Sequence, residues 1–150
     1  MAQSLACMTA HIIFSTQDRK PYLTLEYRPS LYSYLAGIAR GESSHVYEIG
    51  GIDDHVHLLC SLPRTKTLAT LVQLLKKSSS KWLKSQNTAL RSFAWQNGYG
   101  AFSVSASQIE RVRNYIRNQE SHHRRTTFKN EFEVLLRRSN LTFDEEKIWD

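Results

Sequence analysis

The spacing of hydrophobic and polar residues divides the chain into four strand-like runs and four helix-like runs. The strand-like runs are short, rich in β-branched residues and bounded by turn-forming residues. They cover residues 6–16, 44–52, 55–62 and 101–107. The second and third runs are separated only by the "DD" corner, which predicts that they pair as a hairpin.

The helix-like runs repeat their apolar residues every three to four positions, which is the period of one helix face. They cover residues 30–40, 65–86, 107–123 and 128–140. Ser30 is the expected N-cap of the first helix, and Gly41 is expected just past its end. Ser107 followed by Glu110 predicts a capping box at the start of the third helix.

The order of these elements is β-α-β-β-α-β-α, with one further helix at the C-terminal end. This order predicts an α/β (α+β) fold of the ferredoxin-like split βαβ type. In that fold the helices pack mainly on one face of an antiparallel sheet. No repeat or long linker interrupts the chain, so residues 1–150 are expected to form a single domain. Because this arrangement serves many functions, function must be sought in particular residues.

Composition narrows the class of protein. Hydrophobic residues make up 41% of the chain and aromatic residues 11%, which argues against a disordered tail. Cys7 and Cys60 do not form a disulfide framework or a CxxC metal pair, and they suit a reducing cytoplasm. No apolar run is long enough to span a membrane, and the first fifteen residues lack the pattern of a signal peptide. We therefore expect a cytoplasmic protein with no membrane partner.

The net charge of +6 is unevenly distributed along the chain. No Asp or Glu occurs between Asp54 and Glu110. The cations and aromatic residues of this segment include Arg64, Lys66, Lys76, Lys77, Lys81, Lys84, Arg91, Trp82, Trp95 and Tyr99. A basic groove with stacking rings suits single-stranded nucleic acid, whereas a solvated helix face with core aromatics gives the same pattern. The segment alone supports both interpretations equally.

Two histidines flank a valine in the third strand-like run. Because side chains alternate along a strand, His55 and His57 share one face, while Val56, Leu58 and Cys60 share the other. The apolar set can face the core, which leaves two imidazoles side by side on the opposite surface. Such a pair can chelate one divalent ion, but two surface histidines without a ligand role give the same pattern.

A second group of polar residues lies in the third helix-like run. Tyr115 and Gln119 are four residues apart and are expected to project from the same helix face. A lone tyrosine at the border of a helix usually reflects only amphipathic packing. A tyrosine hydroxyl is a weak nucleophile and needs activation, which a nearby divalent ion can assist by polarising a phosphate. Two imidazoles and one amide oxygen leave coordination positions open, as in catalytic metal sites.

These motifs carry a resemblance to a known family. His55-Val56-His57 resembles the HUH motif, and Tyr115 with Gln119 resembles the single-tyrosine signature of HUH transposases. The phrases "GIDDHVHLL", "KKSSSKWLK", "FAWQNGYGAFSVS" and "YIRNQESHHRR" are similar to the small IS200-like insertion-sequence transposases. The resemblance extends from about residue 8 to the C-terminal "IWD", and the motif positions show no departure from the pattern.

The resemblance implies a DNA transposase and assigns a role to each residue of the motifs. Tyr115 would attack a DNA phosphate and form a 5′-phosphotyrosine link, leaving a 3′-OH that can later rejoin the strands. His55, His57 and Gln119 would bind one divalent ion, Mg²⁺ or Mn²⁺. Because Mg²⁺ prefers oxygen ligands, the two imidazole ligands make a transition-metal ion such as Mn²⁺ as plausible as Mg²⁺. The substrate would be single-stranded DNA with hairpins at the ends of an insertion sequence. The protein would act as a homodimer, with active sites completed by both subunits.

Further residues are candidates for DNA contact. Lys76, Lys77, Lys81 and Lys84 are expected to contact the DNA backbone. Arg124 and Arg125, which follow His122 and His123, form a basic patch that either grips DNA or complements the end of the helix dipole. Two other functions are compatible with the sequence. They are a non-catalytic single-stranded nucleic-acid binding module and a metal-dependent phosphoesterase that uses water as its nucleophile.

Overall fold

A computed structural model describes residues 2–149 of the chain. Its strands are β1 (Thr9–Ser15), β2 (Val46–Gly51), β3 (His55–Ser61) and β4 (Gly100–Val104). They form one antiparallel sheet in the order β2-β3-β1-β4, which is the order of the ferredoxin-like split βαβ fold. The fold class expected from the sequence is therefore confirmed. The central strand β1 is buried along its whole length, in keeping with its apolar run "HIIF".

The helices are α1 (Arg28–Gly41), α2 (Leu68–Gln86), α3 (Ile109–Arg117), α4 (Gln119–His122) and α5 (Phe128–Arg138). The two longest, α1 and α2, cover one face of the sheet and enclose the main hydrophobic core. Val56, Leu58 and Cys60 point into this core, as the alternation along β3 predicts. The shorter helices after β4 lie over the opposite face, where Ile13 packs with residues of α5. The helices therefore cover both faces of the sheet, and not mainly one face as the sequence predicts.

Two expected helix caps are wrong. Helix α1 begins at Arg28 rather than after Ser30. Pro29 fits the first turn, because backbone N–H groups there have no acceptor within the helix and the N–H that proline lacks is not needed. Ser107 lies within a single 3₁₀ turn, Ala106–Gln108, and α3 begins only at Ile109 without a side-chain cap. In contrast, Thr67 and Thr127 cap α2 and α5 through their side-chain oxygens.

The sequence also predicts one continuous helix over residues 107–123, which the structure divides in two. Asn118 leaves the helical conformation with φ −94° and ψ 19°, and it separates α3 from α4. Asparagine is a weak helix former because its amide competes for backbone hydrogen bonds. As a result, Tyr115 and Gln119 lie on successive helices.

Glycine at position 50 lets α3 lie directly against β2. A Cβ atom at Gly50 would lie 2.5 Å from the carbonyl oxygen of Ile116. We predict that Gly50→Ala destabilises the protein by about 1–3 kcal/mol, because α3 must move away from the sheet. Gly37→Ala is the matched control. Gly37 is exposed in α1, and a Cβ atom there would have no other atom within 4 Å. Gly37→Ala should therefore raise the free energy of unfolding by about 0.5–1 kcal/mol. Urea unfolding of both variants measures the difference, and equal stabilities would contradict the prediction.

Candidate active site

The two histidines of β3 are buried, not exposed. His55 and His57 lie on the sheet face opposite the main core, as expected, but both have an exposed fraction of 0%. The expectation of surface imidazoles is wrong because α4 and α5 cover this face. Phe128 of α5 stacks on the ring of His55 with a centroid distance of 4.2 Å. The histidines therefore form part of an enclosed polar cluster.

Each of these imidazoles is held through its Nδ1 atom. His55 Nδ1 lies 2.7 Å from Asp54 Oδ1, and the carboxylate can only accept, so Nδ1 carries the proton. His57 Nδ1 lies 2.8 Å from His11 Nε2. His11 can act as donor or acceptor, so it supports either tautomer of His57. Both Nε2 atoms thus point inward, in the orientation that a metal-binding histidine takes when its other ring nitrogen is held by a hydrogen bond.

A buried carboxylate lies at the centre of the cluster. Glu131 Oε1 lies 3.1 Å from His57 Nε2 and 3.4 Å from His55 Nε2. Glu131 Oε2 accepts hydrogen bonds from the Tyr115 hydroxyl and, at 2.9 Å, from Gln119 Nε2. The side chain is 1% exposed. Sequence reasoning missed Glu131, although its position three residues after Phe128 puts a charge in the apolar stripe of α5.

His123 also joins the cluster. Its Nδ1 donates to the carbonyl oxygen of Thr126 at 2.9 Å. Its Nε2 lies 2.9 Å from Gln119 Oε1 and 3.1 Å from Glu131 Oε1. The side chain is 3% exposed, whereas the sequence suggested a basic patch that ends a helix. No periodic signal marks this residue, because the turn after α4 directs it inward.

Tyr115 and Gln119 meet the histidines within one chain. The Tyr115 ring lies 5.8 Å from the His57 ring and 6.2 Å from the His11 ring, measured between centroids. Gln119 Oε1 lies 2.9 Å from His55 Nε2. The break at Asn118 does not separate the two side chains, since both contact Glu131. The structure thus brings together the four residues that the sequence selected.

The charges of the cluster shift several pKa values. Burial works to raise the pKa of Glu131, but hydrogen bonds from His123, His55 and His57 outweigh it, so the pKa falls well below its usual range. Burial likewise opposes the hydrogen bonds of His55 to Asp54 and Glu131, which raise its pKa to about 9. Burial lowers the pKa of His57 to about 4. The site therefore holds an ionised carboxylate beside a neutral His57.

The nucleophile candidate is protonated in this arrangement. Burial and the negative charge of Glu131 raise the pKa of Tyr115, and the positive charge of Arg138 works in the opposite direction. One side of Tyr115 lines a groove of about 640 Å³ that also contains Arg111 and Arg138. This groove connects the phenol to the surface.

The donor atoms of the cluster fit a metal ion. His55, His57, His123 and Glu131 each offer one ligand atom, and these atoms lie within 4.8 Å of one another. Imidazole nitrogen and carboxylate oxygen are common ligands of divalent cations. The described part of the chain therefore contains a group that can hold a metal ion.

The lysines of α2 fall into two classes. Lys77, Lys81 and Lys84 are exposed and follow the i, i+4, i+7 spacing of one helix ridge. Lys76 instead donates to the carbonyl oxygens of Gln96, at 2.8 Å, and Gly98, and burial lowers its pKa to about 8. Lys76 thus fastens the loop before β4.

The remaining candidates differ in exposure. Arg124 and Arg125 are exposed in the turn between α4 and α5. Trp95 is buried and donates to Ser79 Oγ at 3.0 Å, while Tyr99 of the same loop is 40% exposed. Trp82 stacks on Tyr34 with a centroid distance of 5.1 Å. Among the described residues, no helix has the length and apolar character needed to cross a membrane.

Comparisons with known proteins give a consistent result. The family model described as "Transposase IS200 like" matches residues 4–119. A structure assigned as a transposase from Deinococcus radiodurans R1 aligns with a TM-score of 0.62 and 23% identity, over 79% of this chain and 98% of that chain. The structure of a REP-associated tyrosine transposase bound to a REP hairpin aligns with a TM-score of 0.60 and 14% identity, over 82% of this chain and 74% of that chain. At these identities, the two structures establish a shared fold. No curated protein matches the chain.

Proposed function

Because the chain belongs to the family of IS200-like transposases, we propose that it cleaves and rejoins single-stranded DNA through a 5′-phosphotyrosine intermediate on Tyr115. The observation that carries the proposal is the position of the Tyr115 hydroxyl. It hydrogen-bonds to Glu131, which in turn contacts His55 and His57. A phenol beside a group of residues that can hold a metal ion suits phosphoryl transfer to tyrosine, because a metal ion there would stabilise the charge that develops on the phosphate.

In the proposed reaction the Tyr115 oxygen attacks the phosphorus of a phosphodiester. A new bond forms between that oxygen and phosphorus, and the bond from phosphorus to the 3′ oxygen breaks. The phenol loses its proton, and the leaving oxygen gains one to become a 3′-OH. Attack of a 3′-OH on the phosphotyrosine reverses these changes and rejoins strands. The exchange conserves the phosphodiester bond energy, which fits a sequence without a P-loop.

His55, His57 and Gln119 are the proposed ligands of a divalent metal, Mg²⁺ or Mn²⁺. His55 Nε2 lies 2.9 Å from Gln119 Oε1, both imidazoles direct Nε2 toward Glu131, and Asp54 and His11 hold the two imidazoles from behind. When bound, such an ion would polarise the scissile phosphate and offset the negative charge that develops on it. Burial of the histidines keeps water away from the site, which strengthens these electrostatic interactions.

The proposed substrate is single-stranded DNA that carries hairpins at the ends of an insertion sequence. The similar REP-associated transposase is described as bound to a REP hairpin, which supports this substrate class. Arg111 and Arg138 line the groove that leads to Tyr115, where they can contact phosphates. Arg124 and Arg125 are further candidates at the exposed turn before α5.

Lys77, Lys81 and Lys84 of α2 form a lysine ridge. This ridge lies on the side of the sheet away from the histidines, since α2 packs on the main core. A groove of about 410 Å³ separates α2 from the loop at residues 93–99. Residues 96–99 also border a cavity of about 270 Å³ that Phe128 and Trp149 enclose on the other side. We propose that DNA follows this path around the edge of the sheet.

The lysine ridge gives a quantitative prediction. Replacing both Lys81 and Lys84 by alanine should reduce the slope of log affinity against log salt by about 0.7 per lysine, because each phosphate contact releases counterions. Fluorescence anisotropy with a labelled single strand at several salt concentrations measures this slope. Lys66→Ala is the control, since Lys66 is already paired with Glu42 at 3.1 Å. An unchanged slope in the double variant would show that Lys81 and Lys84 do not contact the DNA.

We further propose that residues 1–150 form a single catalytic domain and that the protein acts as a homodimer. Tyr115 already lies beside the histidines of its own chain. If each active site is completed by both subunits, α3, which carries Tyr115, must change its position. Mixing a Tyr115→Phe chain with a His57→Ala chain tests such sharing. Adducts formed only by the mixture would support sites built from two subunits, and inactive mixtures would exclude them.

Incubation with a labelled hairpin oligonucleotide and MnCl₂ tests the function. The proposal predicts a band that survives denaturation, together with a free 3′-OH product, and EDTA should prevent both. Cleavage without a covalent band would indicate a phosphoesterase that uses water. Binding that is insensitive to EDTA, without cleavage, would indicate a non-catalytic nucleic-acid binding module.

A further inference from the structure

We propose that the segment after the nucleophile completes the metal site, with His123 and Glu131 as ligands beside His55 and His57. In this arrangement, binding of the ion fastens helix α5 to the sheet. The inference rests on the metal site of the proposed function and extends its ligand set to the C-terminal part of the chain. It is carried by three observations: the orientation of the histidine rings, the convergence of the ligand atoms and the packing of α5.

The orientation of the rings follows from the partners of the Nδ1 atoms. The carbonyl oxygen of Thr126 can only accept a hydrogen bond, so His123 Nδ1 donates to it. His55 Nδ1 donates to the carboxylate of Asp54 in the same way. Nε2 is therefore the ring nitrogen left to bind a metal ion in both histidines. Both Nε2 atoms are directed toward the centre of the cluster, where they contact Gln119 Oε1.

The ligand atoms converge at that centre. Gln119 Nε2 donates to Glu131 Oε2, which turns Gln119 Oε1 toward the histidines. That oxygen lies 2.9 Å from both His55 Nε2 and His123 Nε2. Glu131 Oε1 lies 3.1 Å from His123 Nε2. Protons on the Nε2 atoms can hold these contacts as hydrogen bonds, and a divalent ion can take the place of those protons, since metal binding to imidazole releases them.

Helix α5 depends on this cluster for part of its attachment. Its apolar residues Phe128, Phe132 and Leu136 form a small second core with Ile13. Glu131 lies between them on the same stripe and is the only charged residue of α5 that is buried. A ligand bond from Glu131 would therefore join α5 to β3 through the metal. Metal binding and docking of α5 are thus expected to be linked.

The enlarged donor set also changes the expected ion. Three imidazole nitrogens with one carboxylate and one amide oxygen suit Mn²⁺, Co²⁺ or Zn²⁺ better than Mg²⁺, which prefers oxygen ligands and retains water. We expect Mn²⁺ to bind at least about tenfold more tightly than Mg²⁺.

Calorimetric titration of the DNA-free protein with MnCl₂ tests the ligand set. Glu131→Gln and His123→Gln should each weaken Mn²⁺ binding by at least about tenfold. Glu133→Gln is the matched control, because it removes a carboxylate from α5 two residues away, and its affinity should stay within about twofold of wild type. Wild-type affinity in the Glu131→Gln or His123→Gln protein would overturn the proposal. Glu131→Asp provides a second variant that keeps the charge, and it should also weaken binding because its carboxylate cannot reach the cluster.

Hydrogen exchange of residues 128–138 provides a separate readout. Mn²⁺ should slow exchange of this segment in the wild type and not in Glu131→Gln, and an equal effect in both would contradict the link to α5. The outcomes separate this inference from the proposed function. Metal binding through these residues without a DNA adduct would refute only the function. An adduct that forms with wild-type metal affinity in Glu131→Gln would refute only the inference.

Discussion

Replacing Tyr115 by phenylalanine is expected to abolish the covalent protein–DNA adduct. The substitution removes only the hydroxyl oxygen, which is the proposed nucleophile, and leaves the ring against His57 and His11. Glu131 loses one hydrogen-bond donor but keeps Gln119 and the histidines. The cost in stability should therefore be about 1–3 kcal/mol at most. Denaturing electrophoresis after incubation with the labelled hairpin and Mn²⁺ measures the adduct.

Binding measurements separate this effect from a folding defect. The Tyr115→Phe protein should bind Mn²⁺ and the hairpin with affinities close to wild type, since the phenol is not among the proposed ligands. Tyr99→Phe removes a hydroxyl from an exposed tyrosine of the loop before β4 and should leave adduct formation intact. Persistence of the adduct in Tyr115→Phe would show that another residue is the nucleophile.

Replacing His57 by alanine is expected to remove both metal binding and adduct formation while DNA binding persists. The imidazole is buried between His11 and Glu131, so no other side chain can take its place. We expect Mn²⁺ affinity and adduct yield to fall by about 100-fold or more. The loss also leaves a cavity beside a buried carboxylate, so the free energy of unfolding should fall by about 2–5 kcal/mol.

The histidine at position 45 offers a control of the same residue type. His45 is exposed at the start of the β2 hairpin and packs edge-on against Tyr47. His45→Ala should leave Mn²⁺ affinity, adduct yield and stability close to wild type. If His57→Ala keeps metal-dependent cleavage, the histidine pair of β3 is not the metal site.

The sequence predicts the fold well because its strands and helices have clear periods. The alternation in "HVHLLC" correctly separates the histidine face from the core face, since a strand has only two faces. Burial of His55 and His57 could not be predicted, because it depends on helices that follow more than fifty residues later. The sequence places the N-cap of α1 at Ser30, but the helix begins at Arg28 because the preference of Pro29 for the first turn outweighs a serine cap.

The candidate site was predicted in part. His55, His57, Tyr115 and Gln119 follow recognisable spacings, and the structure brings them into one cluster. No sequence motif links Glu131 or His123 to the histidines of β3. Only the tertiary structure shows that these residues converge. A charged residue in the apolar stripe of a helix, as at Glu131, is the signal that could have indicated one of them.

Mass spectrometry of the adduct identifies the residue that is joined to the DNA. Trypsin should release residues 114–117, because Arg113 precedes this peptide and Arg117 ends it. We predict that the 5′ end of the cleaved DNA is attached through phosphate to this peptide, on Tyr115. Attachment to any other peptide, or cleavage of the hairpin DNA without attachment to the protein, would contradict it.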